Sequence, residues 1–264
     1  MEIFGYILAV FIGLSTGLIG AGGSILAIPI LVYCFGIEAA VTAPAYSLFI
    51  VGCASLVGVL VKAKKQEVNF KTALFFGIPT IIAIFLTRKY LVPAIPESLF
   101  AIGSFELTNR LLIMSVFAIT MITASIFMIR GGVKIKTINM KKKNHVLNFM
   151  GGLCIGCLSG FVGAGGGFII IPALIKLGNL TMKVAIGTSL AIIAMNSFFG
   201  FVGSISTTVM DWSLLSSFTL LAIAGIFIGN LLSSKVNGAQ LKKGFGWFVL
   251  AMGGYILVKE LFLN

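Results

Sequence analysis

The sequence predicts an all-α polytopic membrane protein with two inverted-topology repeats. Three observations predict it: the composition, a duplicated glycine-rich stretch and the placement of basic residues. The 264-residue chain is 59% hydrophobic and only 10% charged, whereas a soluble domain is about 25% charged. Several apolar runs also reach the roughly 20 residues that a helix needs to cross a bilayer. We therefore expect a multi-pass protein of the cell membrane, with the lipid bilayer as its surroundings.

A glycine-rich stretch occurs twice, at residues 13–31 and 156–174, with a constant offset of 143 residues. The copies contain GLIGAGGS at 17–24 and GFVGAGGG at 160–167. Glycine weakens a helix by about 1 kcal/mol per residue relative to alanine, so each copy should break a helix. Two broken helices in corresponding halves of an apolar chain point to a transporter's binding site.

The elements follow from the apolar runs. In each repeat we expect a broken helical hairpin followed by three spanning helices. The first repeat, 1–130, has half-helices at 3–20 and 24–36, then helices at 41–61, 70–87 (kinked at Pro79) and 111–129, with an interfacial helix at 97–105. A basic linker, 131–145, separates it from the second repeat, 146–264, with half-helices at 146–163 and 167–177 and helices at 183–205, 212–233 and 244–262. The pattern does not say whether the half-helices are re-entrant or nearly cross the bilayer.

Basic residues decide the orientation, because they collect in cytoplasmic loops. If each hairpin enters and leaves on one side, the repeats are inverted, and 15 Lys and Arg lie inside against 4 outside. If each broken stretch crosses once, the repeats are parallel and the count is 11 against 8. The inverted arrangement fits better and places both termini outside and the 131–145 linker in the cytoplasm. The same bias explains the net charge of +12, so we expect no nucleic acid partner.

The glycine turns predict an anion site. A helix N-terminus carries about half a positive charge and unpaired N–H groups, and glycine lets a ligand approach that backbone. Two such N-termini facing each other near the midplane would bind a small anion. Hydroxyl and amide side chains in the following helices can add hydrogen bonds without placing charge in lipid. The candidate substrate-binding residues are Gly22, Gly23, Ser24, Ser47, Gly165, Gly166, Gly167, Thr188, Ser189 and Asn196.

We expect no charged residue deep in the predicted core, since the nearest candidates, such as Lys176 and Glu38, lie near helix ends. The usual carboxylate or histidine proton relay is therefore not expected, and proton coupling, the transported anion and the oligomeric state are left open. We expect no enzyme activity, catalytic residue, metal site or cofactor. Two alternatives stay open: a membrane-embedded redox or sulfur-carrier protein that uses Cys154 and Cys157, and an anion channel.

The two glycine turns, 17–24 and 160–167, resemble the signature of the TauE/SafE family of membrane anion permeases. The run Gly187-Thr188-Ser189-Leu190 resembles the family's element after the second turn, and the likeness covers nearly the whole chain. The first repeat departs from the pattern at Ser24 and at 44–47. The resemblance implies transport of sulfite, sulfoacetate or another organosulfonate, by export.

Overall fold

The computed structural model describes residues 2–20, 23–38, 41–96, 98–102, 105–130, 145–163, 165–176, 178, 180–205, 210–232 and 238–262. Its helices, in chain order, are α1 (Glu2–Ile19), α2 (Gly23–Phe35), α3 (Thr42–Lys64), α4 (Phe70–Leu86), α5 (Asn109–Ile129), α6 (His145–Val162), α7 (Gly167–Lys176), α8 (Met182–Ser204), α9 (Trp212–Leu232) and α10 (Gly238–Phe262). This nearly all-helical architecture confirms the predicted all-α fold class, and the inverted arrangement of the repeats stays a prediction. The predicted linker lies outside the described residues, except for His145, which begins α6.

Helix ends follow local chemistry. Asn69 caps α4, since its Oδ1 accepts a hydrogen bond from Thr72 N–H at 3.0 Å. Thr108 caps α5 in the same way, through Leu111 N–H at 3.3 Å. At the other end of the chain, α10 begins at Gly238, six residues before the predicted start. The prediction stopped at the end of the apolar run, but glutamine, leucine and lysine are good helix formers and extend the helix into the polar region.

The predicted interfacial helix at 97–105 is wrong. Strands β1 (Ser98–Ile102) and β2 (Phe105–Thr108) pair antiparallel there, with Ile102 opposite Phe105. In sequence, Gly-Ser at 103–104 separates two short apolar runs, and such a pattern is typical of a β-hairpin. The hairpin connects α4 to α5.

Five described helices are long and apolar enough to cross a membrane: Thr42–Lys64, Phe70–Leu91, Asn109–Ile126, Lys183–Ser204 and Trp212–Leu232. Many large apolar side chains on the bundle are exposed, such as Phe198 and Leu231. A contiguous apolar surface of this kind marks contact with lipid in a multi-pass protein. Helix α1 has 18 residues, and at 1.5 Å per residue it is about 27 Å long, close to the thickness of the hydrocarbon core.

Helices α3 and α8 form the centre of the bundle. Their most apolar windows are 61% and 67% buried, against 39–44% for the other long spans. Close contacts place Gly52 beside Ser197 and Gly58 beside Leu190. The sequence numbers rise along one helix as they fall along the other, so α3 and α8 pack antiparallel. The glycine turns pack against these two helices.

Six of the other described helices pair across the two halves of the chain. Helix α1 packs against α9, α6 against α4, and α5 against α10. Glycines allow the close approach: Gly13 lies against the backbone of Ala222, and Gly156 lies against the backbone of Thr80. These two contacts are equivalent. Gly13 and Gly156 correspond under the 143-residue offset, and α9 in the second half corresponds to α4 in the first.

Candidate functional site

Both predicted helix breaks are present. The first hairpin turns at Gly20, with φ +86°, and the second turns at Gly163, Gly165 and Gly166, with φ +76°, +64° and +70°. A residue with a side chain pays about 1–2 kcal/mol in this left-handed region, so the turns require glycine. The second turn leads directly into α7, where Ile170 N–H donates to Gly166 O at 3.1 Å. The N–H groups just before Ile170 are those that a helix leaves without an intrahelical acceptor.

The two turns do not meet. Gly20 contacts Ile186 near the start of α8, whereas Gly165 contacts Ile193 and Ser197, seven and eleven residues further along the same helix. At 1.5 Å per residue this separation is about 10–16 Å along the axis. Gly163 contacts Pro44 at the start of α3. Each turn therefore lies against a central helix of the other half, with Gly20 near the start of α8, Gly163 near the start of α3 and Gly165 nearer the middle of the pair.

The first turn is tightly packed and internally satisfied. A Cβ on Gly23 would overlap the Thr16 hydroxyl and the Ile12 carbonyl. Ser15 and Thr16 both donate to that carbonyl, at 2.9 and 2.7 Å. Of the other candidates at this turn, Gly22 and the side chain of Ser24 lie outside the described residues.

The second turn is surrounded by hydroxyls without partners. A Cβ on Gly166 would lie 2.8 Å from Ser159 Oγ, and one on Gly165 would lie 2.9 Å from Ser197 Oγ. Both oxygens are buried and have no hydrogen-bond partner among the described residues. Buried polar groups are nearly always paired, so two orphaned hydroxyls beside one helix break indicate a polar ligand there.

The structure separates the candidates on α3 and α8. Thr188 Oγ1 accepts from Asn69 N–H at 3.0 Å, and Ser189 donates within its own helix to Ile186 O at 2.8 Å. Ser47 Oγ, by contrast, is buried and unpaired among the described residues. It follows Pro44 by three residues, so it shares the face of α3 that contacts Gly163. Ser47 therefore belongs with the second turn, whereas Thr188 and Ser189 are occupied elsewhere.

Asn196 is paired through one of its two side-chain polar atoms. It is fully buried, and its Oδ1 accepts from Thr80 Oγ1 at 2.9 Å. Its Nδ2 has no partner among the described residues. Asn196 is next to Ser197 in α8, so an amide donor lies close to the second turn.

Arg88, one of the four basic residues that the charge count assigns to the outer side, lies at the second turn. Arg88 is only 1% exposed. Its Cβ packs on Gly203 of α8, and a Cβ on Gly163 would overlap its Nη2. All three guanidinium nitrogens lack a hydrogen-bond partner among the described residues. The expectation of a core without charges is therefore wrong.

Arg88 was missed because the apolar run in the sequence ends at Thr87. The chain instead continues from α4 through a π-helical turn, Thr87–Leu91, in which Val92 N–H donates to Thr87 O at 2.9 Å. Single π turns are frequent at functional sites. One sequence signal could have revealed the position. The helices after the two turns are related by an offset of 142 residues. This offset pairs Arg88 with Asn230, which lies inside an apolar helix.

A second buried charge lies away from both turns. Glu260 is 2% exposed and accepts from Arg110 Nη2 and Tyr33 Oη, both at 3.1 Å. It ties α10 to α5 and α2. Because the carboxylate is ion-paired, it has a structural role that does not require a ligand.

The cysteines do not form a site with other ligands. Cys154 and Cys157 are both exposed on α6 and are not disulfide-bonded. Among the described residues no three His, Cys, Asp or Glu side chains are grouped so as to hold a metal ion.

The chain is similar to known membrane transporters over nearly its whole length. The family model described as Sulfite exporter TauE/SafE matches residues 6–256. A probable membrane transporter protein of Xylella fastidiosa (strain 9a5c) is 28% identical over 256 residues, which cover 93% of this chain and 91% of the relative. One from Methanocaldococcus jannaschii is 24% identical over 241 residues, covering 90% and 85%. The probable membrane transporter protein YdhB of Bacillus subtilis is 26% identical over 253 residues, covering 96% and 98%. No solved structure matches the chain.

Proposed function

Since the chain belongs to the TauE/SafE sulfite exporter family, we propose that this membrane transporter carries a small sulfur-containing oxyanion, sulfite or an organosulfonate, out of the cell. The anion binds at a glycine turn, where a helix N-terminus and hydroxyl donors face it. One observation carries the proposal: the second turn breaks a helix inside an apolar bundle and is lined by the orphaned hydroxyls of Ser159 and Ser197. Breaking a helix at membrane depth is costly unless the break lines a cavity or packs in protein.

The transport mechanism follows from inverted repeats, which we propose for residues 1–130 and 146–264. The antiparallel packing of α3 against α8 supports this arrangement, because these helices are equivalent in the two repeats. Helices α5 and α10 are also equivalent and run antiparallel, with Gly246 beside Ile129 and Gly253 beside Ile122. A two-fold axis in the membrane plane produces both relations. The repeats then rock against each other to expose the anion to one side at a time.

The chain sits in the cell membrane with both termini outside and the 131–145 linker in the cytoplasm, as the basic residues indicate. Proton coupling belongs to the same proposal, because an exporter of an anion needs a driving gradient when the membrane potential is insufficient. The ion-paired Glu260 is not assigned to it.

Anion flux into proteoliposomes that contain the purified full-length protein tests this function. Sulfite, methanesulfonate, sulfate and chloride are compared, with and without a pH gradient. We expect saturable flux of sulfite or methanesulfonate that is accelerated by an anion on the opposite side. Flux that rises linearly with concentration and shows no exchange indicates a channel, and no flux of any anion rejects the proposal.

A further inference from the structure

We propose that Arg88 is the charged ligand of a single anion site at the second glycine turn, and that this site selects singly charged oxyanions. This inference rests on the proposed function and deepens it, since it names the residue and the substrate class. It replaces a symmetric site shared by two helix N-termini with a site at the second turn alone.

Arg88 has no structural partner that explains its burial. It is almost fully buried, and Nε, Nη1 and Nη2 are all unpaired among the described residues. The carboxylate whose charge acts on it is Glu38, but Glu38 is exposed and accepts the N–H groups of Val41 and Thr42, both at 2.9 Å. A buried charge is normally paired and hydrogen-bonded. An unpaired guanidinium at this position therefore indicates an anion that binds to it.

The groups around Arg88 suit an oxyanion. Its Nη2 lies at Gly163, the turn that leads to the α7 N-terminus. The orphaned hydroxyls of Ser159 and Ser197 lie at Gly166 and Gly165, three and two residues further along. A guanidinium donates two parallel hydrogen bonds to a pair of acid oxygens, and hydroxyls and backbone N–H groups can donate to the third oxygen. A sulfonate or a sulfite presents three such oxygens.

The charge of the site sets the selectivity. Arg88 supplies one positive charge, and the α7 N-terminus adds about half of one. Among the nearest described neighbours of Gly163, Gly165 and Gly166, Arg88 is the only charged residue. A monoanion is neutralised there, whereas a dianion keeps negative charge in a desolvated site. Sulfonates and hydrogen sulfite should therefore bind more tightly than sulfate.

Binding to the purified full-length protein in detergent tests the inference. Isothermal titration with methanesulfonate is combined with thermal unfolding, with and without the anion. Arg88→Met should weaken binding by at least about 30-fold, and Arg88→Lys should weaken it less. Lys89→Met is the matched control, because Lys89 is the exposed neighbour in the same π turn, and it should bind within about twofold of the wild type.

The melting temperatures separate a ligand role from a structural one. Methanesulfonate should raise the melting temperature of the wild type but not of Arg88→Met. Without anion, Arg88→Met should be at least as stable as the wild type, because an unpaired buried charge destabilises the fold. If the variant is less stable and still binds the anion, Arg88 is structural and the inference is overturned.

If Arg88→Met does not fold, the affinities of the wild type for methanesulfonate and sulfate still test the inference. Methanesulfonate should bind at least about tenfold more tightly than sulfate, and equal or tighter sulfate binding contradicts the site. The same measurement with short-chain phosphatidylglycerol tests a lipid headgroup as the ligand. If this lipid stabilises the protein and the small anions do not, the ligand is a lipid headgroup. If no anion binds the wild type, the proposed function fails as well, whereas equal binding to wild type and Arg88→Met rejects only the inference.

Discussion

The two glycine turns are nearly identical in sequence but differ in their chemistry. At the first turn Thr16 donates to Ile12 O at 2.7 Å, so its hydroxyl is satisfied within α1. Its equivalent at the second turn, Ser159, is orphaned among the described residues. On the central helices Ser189 bonds within its own turn of helix, whereas its equivalent Ser47 does not. These hydroxyls are thus paired within the helices at the first turn, whereas their equivalents at the second turn have no partner among the described residues.

The same asymmetry extends to charge. Asn230 lies against Gly17 in α1, and its equivalent in the first repeat is Arg88, which lies at Gly163. A duplicated fold thus has a neutral amide in one half and a cation in the other. The buried cation lies at the second turn, where we propose that the anion binds.

The largest effect is expected from filling the second turn. Gly166→Leu should abolish anion flux, because the residue has φ +70° and a Cβ there would lie 2.8 Å from Ser159 Oγ. The strain alone is about 1–2 kcal/mol. Flux into proteoliposomes measures the loss. Gly151→Leu is the control, since a Cβ on Gly151 meets no atom within 4 Å, and normal flux in Gly166→Leu would show that the turn only packs helices.

The paired serines test the asymmetry directly. Ser47→Ala should weaken methanesulfonate binding by about tenfold or more, because a hydrogen bond to a charged group contributes about 1.5–3 kcal/mol. Ser189→Ala removes a bond inside its own helix and should leave the dissociation constant unchanged within about twofold. Titration of both variants gives the comparison. Equal losses would mean that the two halves contribute alike, against the account.

A smaller effect, of opposite sign, is expected at Glu38. Glu38→Gln removes the negative charge that acts on Arg88 and keeps an oxygen for the Val41 and Thr42 N–H groups. Methanesulfonate should bind about two- to fivefold more tightly, since exposed charges have modest effects. The dissociation constant at low ionic strength measures this. Weaker binding would show that Glu38 orders the site instead of competing with the anion.

No effect is expected from the cysteines. The double variant Cys154→Ser and Cys157→Ser should transport at the wild-type rate, because both side chains are exposed on α6. Flux before and after treatment with a thiol-alkylating reagent completes the test. Loss of activity in the double variant, with normal folding, would favour the redox or sulfur-carrier alternative.

Much of the fold could be predicted from the sequence because the bilayer imposes it. Long apolar runs predicted the spanning helices, and glycine repeats predicted the breaks at Gly20 and Gly163. The hairpin at 98–108 was missed, since short apolar runs fit a strand or a helix equally well. The site was predicted less well. Hydroxyls are common in membrane helices, and only the structure distinguishes the orphaned Ser47 from the satisfied Thr188.

Arg88 illustrates why the remainder could not be predicted. A basic residue after an apolar run usually marks the membrane edge, and the chain gives no local sign that the helix continues as a π turn. Its burial depends on Gly163 and Gly203, which come from distant parts of the sequence. Long-range packing of this kind is not visible in local patterns.

Locating the bound anion tests the central claim most directly. Crystals of the full-length protein grown with selenite, the selenium analogue of sulfite, give an anomalous signal at the selenium atom. The account predicts one site, within about 4 Å of the Arg88 guanidinium and the Gly165–Gly167 backbone. Selenium at the first turn, beside Gly20 and Gly23, or shared equally between the turns, would contradict it.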